Sequence, residues 1–197
     1  MAAQALRPCS ALAYGDVKRV ELAMALSHAP RLLLMDEPTA KMMAEKGAWF
    51  SSQAFIDNEY ANPQAGANRE KQKKVQAGTD KSFELAKKYK LNVAWGTDIL
   101  FNPKMTKNQG ALLTTMTRWY SPADVLKMAT STNASLLQLS GERSPYPGKL
   151  GVIEEGAFTD VLLVDGDPIA NIKLIAEPAK NLLVIMKDGV IYKNLIE

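Results

Sequence analysis

Along residues 16–27 Val20, Ala23, Met24 and Ser27 stand at helical spacing, with Pro30 just beyond. That spacing predicts a helix of about three turns. Residues 31–38 then read Arg-Leu-Leu-Leu-Met-Asp-Glu-Pro, an unbroken apolar run ending in two carboxylates. A strand buried on both faces of a parallel sheet has this form, and it would carry its acids at its carboxyl end. From Lys41 the pattern restarts with a helical tail into Gly47, a β-rich run over 48–54 and a polar loop over 57–68 containing Pro63 and Gly66. A long amphipathic helix follows, with Val75, Phe83, Leu85, Ala86 and Tyr89 as its apolar positions, and it closes near Lys90. Leu91-Asn-Val-Ala-Trp-Gly-Thr-Asp98 reads as a second strand, so residues 48–98 form a strand–helix–strand unit of the parallel type.

Further along, Ser121-Pro122 has the chemistry of a helix start, a hydroxyl at the N-cap and a proline at the first helical position, and the helix is expected over 123–130. A second helix is expected from Thr132, with Thr132 and Asn133 as its caps. Beyond Pro145-Tyr-Pro-Gly148 the chain changes to short β segments over 150–153, 161–164, 182–187 and 190–193. Asp188-Gly189 joins the last two as a two-residue hairpin turn. Asp165, Asp167 and Asp188 all fall in turns.

The balance of the 197 residues, 47% apolar and 23% charged, excludes a disordered chain, a collagen and a coiled coil. The length suffices for a core but falls short of the ~250 residues of a closed eight-stranded α/β barrel. A net charge of +3 comes from scattered basic residues, and the cluster Arg69-Glu-Lys-Gln-Lys-Lys74 reads as a solvated helix face, so nucleic acid is not implied. No membrane span and no signal peptide are read in the chain, which points to the cytoplasm. One cysteine, Cys9, and one histidine, His28, leave no internal disulfide and no zinc cluster.

Two parts of the chain carry resemblances to known families. Leu12-Ala-Tyr-Gly-Asp16, the following helix and Leu32-Leu-Leu-Met-Asp-Glu-Pro-Thr-Ala40 resemble the signature loop and Walker B strand of ABC transporter ATPases of the branched-chain amino acid importers. The resemblance implies that Asp36 serves the nucleotide's magnesium and Glu37 the attacking water. Ala13 stands where that family has its signature serine, and no Gly-rich phosphate loop is present.

Residues 41–197 resemble something else. Met43-Ala-Glu-Lys-Gly-Ala-Trp, Ala94-Trp-Gly-Thr-Asp-Ile-Leu-Phe, Ser121-Pro-Ala-Asp-Val-Leu-Lys-Met-Ala-Thr-Ser-Thr-Asn-Ala, Gly148-Lys-Leu-Gly-Val-Ile-Glu-Glu-Gly and Thr159-Asp-Val-Leu-Leu-Val-Asp-Gly-Asp-Pro are, in this order, similar to the C-terminal part of a metal-dependent amidohydrolase. The branch is that of imidazolonepropionase-like enzymes and Xaa-Pro dipeptidases. The resemblance implies an α/β fold, a partial (β/α)8 barrel followed by a small β-sandwich portion, preceded here by the ATPase-like helix–strand fragment. The expected divisions are 1–40, 41–145 and 146–197, with two unrelated fragments joined near Ala40 and Lys41.

By the same resemblance Asp98 is the aspartate of the eighth strand. It is both a ligand of a divalent metal, zinc above all, and the group that moves a proton from the attacking water to the leaving nitrogen. The remaining ligands of that family are histidines and a lysine or acid from earlier strands, and residues 41–197 contain no histidine. Hydrolysis of an amide or dipeptide is therefore the expected activity of the parent fold, with the isolated chain an incomplete, inactive piece. An ATP-binding importer subunit, or a non-catalytic module packed on a partner chain, are the alternatives. Ser51-Ser52-Gln53 are candidates to line a substrate pocket, while Trp49, Trp95, Trp119 and Tyr120 are expected to pack. Barrel strands without neighbours would leave open edges prone to self-association. With no phosphate loop and with Ala13 in the signature position, the chain is expected not to bind magnesium-ATP. Calorimetric titration is expected to show no heat of binding, and a micromolar dissociation constant would overturn the expectation.

Overall fold

The structure is a computed structural model and describes residues 36–54, 66–97, 99, 103–146 and 148–196. All of them lie in one unit, Asp36–Glu197. The expected helix over 16–27 and the body of the strand over 31–35 fall outside the described residues, as does Asp98.

The first helix, α1 (Glu37–Glu45), starts where the sequence suggested a strand ending in acids. Asp36 is its N-cap: the carboxylate accepts the Thr39 amide at 2.9 Å, Pro38 lies in the first turn and Glu37 faces the helix's positive end. Asp-Glu-Pro-Thr is thus a helix start, and the helix runs unbroken across Ala40 and Lys41, where a junction was expected. Its C-terminus closes on Gly47 at φ 63°, with the amides of Gly47 and Ala48 returned to the carbonyls of Ala44 and Met43.

Next come β1 (Trp49–Ser51), α2 (Gly66–Lys88) and β2 (Asn92–Ala94). The two strands pair in parallel, Trp49 with Asn92, Phe50 with Val93 and Ser51 with Ala94, as the strand–helix–strand reading requires. The helix begins at Gly66, within the stretch read as loop. In the turn after its last residue, Lys90 takes φ 51° so that the Leu91 amide can reach the Ala86 carbonyl.

The core is built on the buried stripe of this helix. Phe83 is fully buried, its ring stacked on Trp119 at 4.2 Å and meeting Phe50 and Tyr120 edge-on at 5.5 and 6.2 Å. The packing role expected of Trp119 and Tyr120 is therefore what the structure shows. One turn away, Asp80 accepts from the Nε and Nη2 of Arg118, at 2.6 and 2.8 Å, and from the Trp119 indole N–H at 2.9 Å. Arg118 holds the Asp80 carboxyl below its ordinary range, with the Trp119 bond adding to the effect and burial opposing it.

A helical run absent from the sequence reading occupies Pro103–Arg118, with α3 (Gln109–Thr114) between two tighter 3-10 turns. Thr114, Thr115 and Thr117 each turn a hydroxyl back onto the carbonyl three residues earlier, which favours that tightening. Then α4 (Pro122–Lys127), a π turn (Met128–Thr132) and α5 (Asn133–Gln138) follow with helical dihedrals at both joints. The two helices expected here are one helix carrying a π turn. Ser121 caps it as expected, accepting the Asp124 amide at 3.2 Å.

The C-terminal part holds an antiparallel sheet of β3 (Val161–Val164), β4 (Leu182–Lys187) and β5 (Val190–Asn194), in that spatial order. Asp188 and Gly189 both have positive φ, 50° and 75°, the requirement of the type I′ turn that their sequence signals. The strand expected over 150–153 is instead a loop. Gly151, at φ 69°, lies against the backbone of Thr130 and Ser131 where a side chain would not fit, and a Lys149–Glu154 ion pair spans the turn. Between β3 and β4 come a 3-10 turn, Ile172–Ala176, and α6 (Pro178–Asn181).

Two expectations follow from this packing. Gly110 of α3 approaches the Ile175 carbonyl so closely that a Cβ would run into it. Gly110→Ala should therefore cost about 1–3 kcal/mol and lower the melting temperature by roughly 5 °C in a thermal scan. For Asp80, a depressed carboxyl stabilises the fold above its unfolded pKa and loses that contribution as pH falls through the folded one. The pair is more than a third exposed, so Asp80→Asn should cost no more than about 1 kcal/mol at neutral pH. The gap from wild type should close below about pH 4, as chemical denaturation at two pH values would show.

Candidate functional site

The parallel register sets the carboxyl ends of β1 and β2 side by side, with Ser51 level with Ala94. In parallel β/α units the chemistry collects at this end, because the loops that leave it are free to vary while the strands hold them in place. Ser52 and Gln53 continue from β1, both half-buried, and the Ser52 hydroxyl donates to the Gln53 carbonyl at 3.3 Å. Trp95, Gly96 and Thr97 continue from β2, also half-buried. The next residue is Asp98, the candidate catalytic and metal-binding group, which lies outside the described residues. Ser51 itself is exposed, and Ser51, Ser52 and Gln53 stand at the strand end where a pocket was expected.

Asn133 joins this end of the sheet to the helix that runs through α4, the π turn and α5. Its side-chain oxygen accepts the Trp95 amide at 3.0 Å, and its side-chain nitrogen donates to the Trp95 carbonyl at 2.8 Å. By their sequence Asn133 and Thr132 are expected to be helix caps. Neither is one: Thr132 makes no capping bond, and both residues have helical dihedrals inside a continuous helix. Only the fold brings residues 38 apart in sequence together, so no local pattern announces this pair.

Tyr120, beside Phe83, has its hydroxyl buried without a hydrogen-bond partner among the described residues. Burial, with the negative charge of Asp124 adding to it, pushes its pKa up to about 12, so the phenol stays neutral. It contributes packing, not proton transfer.

Asp36 and Glu37, the acids assigned to nucleotide chemistry by resemblance, are occupied otherwise. Asp36 caps α1, and the Thr39 bonds hold its carboxyl below the usual range. Glu37 pairs with Lys88 and accepts the Tyr89 hydroxyl at 2.7 Å, which ties α1 to α2 and lowers the Glu37 carboxyl while raising Lys88. Both acids are exposed on the surface.

Among the described residues no three His, Cys, Asp or Glu side chains come close enough together to hold a metal ion. The described part of the chain therefore does not fit a divalent metal. Among those residues, too, no helix is long and apolar enough to cross a membrane.

No protein-family model and no curated protein sequence matches the chain. Solved structures do match it. An amidohydrolase structure superposes with a TM-score of 0.68 at 26% identity, over 83% of this chain and 38% of its own. A prolidase complexed with N-methylphosphonate-L-proline gives a TM-score of 0.66 at 24% identity, over 81% of this chain and 38% of its own. The ochratoxinase of A. niger gives 0.65 at 23%, over 82% of this chain and 35% of its own. This chain spans less than two fifths of the length of each, and the ATPase resemblance of residues 10–40 finds no support among them. The chain is amidohydrolase-like in fold.

Proposed function

We propose that residues 41–197 are the closing part of an amidohydrolase barrel together with strands of its β-sandwich, and that they serve hydrolysis of a carbon–nitrogen bond. The observation that carries this reading is the likeness to an amidohydrolase structure at a TM-score of 0.68, with a parallel strand pair whose carboxyl ends stand side by side. In this reading β1 and β2 are the seventh and eighth strands, and β3, β4 and β5 belong to the sandwich. Asp98, four residues past the end of β2, takes a proton from the attacking water and returns it to the departing nitrogen. The prolidase bound to a proline compound favours a dipeptide carrying proline as the substrate class, with a small amide as the wider one.

Residues 41–197 have no histidine, so the histidine ligands that would join Asp98 on a zinc ion would have to come from other polypeptide. That need favours a second reading, a module that packs on a partner. The sheet supports it: β3 reads Val-Leu-Leu-Val and β4 begins Leu-Leu-Val-Ile-Met, so apolar side chains emerge on both faces, and Leu162, Leu163 and Ile191 remain exposed. An antiparallel sheet with one wet face would alternate instead. Its edges, and those of the parallel pair, are the places where self-association would begin.

A transplant tests the leading reading. Residues 41–197 put in place of the matching tail of a complete relative should give an active enzyme, because the strands carry their own pairing pattern and the host supplies the missing ligands. Asp98→Asn in that chimera keeps size and hydrogen-bonding shape but removes the proton acceptor, and turnover should fall about 10²–10⁴-fold while folding survives. A folded but inactive chimera would overturn the reading of the tail; an Asp98→Asn form with full rate would overturn the role of Asp98.

A further inference from the structure

The parallel ladder is three residues long on each side and stops at Ala94. The residue after it, Trp95, is half-buried and carries one N–H and one C=O that must find partners. Both find them in one side chain. A carboxamide has the donor and acceptor of a peptide group, and Asn133 presents them as a neighbouring strand would, at 3.0 and 2.8 Å to a single residue. A serine hydroxyl would have to meet both groups from a single atom, and aspartate has no donor when ionised.

The helix is built to deliver that group. An α-helix turns by about 100° per residue, so the extra residue of the π turn Met128–Thr132 swings everything after it, beginning with Asn133, around the helix axis. Thr130 donates to the Leu126 carbonyl at 2.8 Å and Ser135 to the Ser131 carbonyl at 3.0 Å, which accommodates carbonyls in and beside the widened turn. Gly151 packs its bare Cα against the backbone of Thr130 and Ser131. A strand end, a π turn and a glycine loop thus converge on one pair of hydrogen bonds.

We infer that Asn133 is a positioning residue that fixes the backbone direction of Trp95, Gly96 and Thr97, and thereby the approach of the chain to Asp98. The link to Asp98 rests on the hydrolase reading; the clamp itself does not. Asn133 touches no reacting atom in this scheme and acts only through the strand end.

Amide hydrogen exchange of the full chain, followed by NMR on ¹⁵N-labelled protein, tests it without any turnover. Removing both bonds in Asn133→Ala should speed exchange at Trp95, Gly96 and Thr97 by about tenfold or more, while Trp49, Phe50 and Val93 keep their protection. Asn133→Asp keeps the acceptor for the Trp95 amide, so its Trp95 exchange should lie between wild type and Asn133→Ala; it also serves if the alanine form does not fold. Unchanged exchange at Trp95 would overturn the clamp. A rise confined to Trp95 would show that the segment is held by something else, and an equal rise across both strands would reduce Asn133 to general stability; either outcome overturns the positioning role. Because the readout is exchange, a failure of the hydrolase reading in the transplant leaves this result independent.

Discussion

Burial of Phe83 is the contact on which the other elements depend. A fully enclosed phenylalanine is worth several kcal/mol, of the order of half a small domain's net stability. Its ring touches one residue from β1 and two from the segment that leads into α4, so a single side chain of α2 brings three separate stretches of sequence together. The Asp80 ion pair and the Trp119 indole bond lie one helical turn away and orient the same segment. Strand pairing alone would be weak here, since three residues per strand give few ladder bonds.

What the sequence made legible was what short-range physics decides. The period of Phe83, Leu85 and Ala86 with their charged neighbours gives the long helix, Ser121-Pro122 gives a helix start, and Asp188-Gly189 gives a turn that few other dipeptides adopt. Local sequence signals are ambiguous where two local grammars overlap. Asp-Glu-Pro-Thr closes an apolar run and also opens a helix, and the carboxylate's bond to the Thr39 amide settles it for the helix. The stretch over 103–118 carries four threonines, poor helix signals whose hydroxyls nonetheless return to the backbone and tighten it into 3-10 turns. A π turn has no compositional signature, so one helix read as two.

The candidate site was legible to the same extent. The carboxyl ends of two parallel strands follow from period and order, and Asp98 follows from resemblance. The Asn133 clamp does not, because an asparagine beside a threonine looks like a cap until the fold shows which backbone it meets. Similarly, Leu150-Gly-Val-Ile153 has strand composition, yet the close approach of Gly151 to another backbone turns it into a loop.

The hairpin of β4 and β5 has a kinetic meaning. Its outermost pair, Val184 with Asn194, closes ten residues, whereas Trp49 and Asn92 must meet across more than forty. Loop-closure entropy makes the longer closure costlier by about 1.3 kcal/mol, before the long helix between the strands is considered. During synthesis the order of appearance is the reverse of the order of cost: the parallel pair leaves the ribosome first, and the inexpensive hairpin, whose turn amides bond Thr159 and the Asp160 carboxylate, leaves after it. The nascent chain therefore exposes Phe50 and the face of α2 while its least costly strand pairing is still inside the exit tunnel, and a chaperone that grips apolar segments would meet that face first.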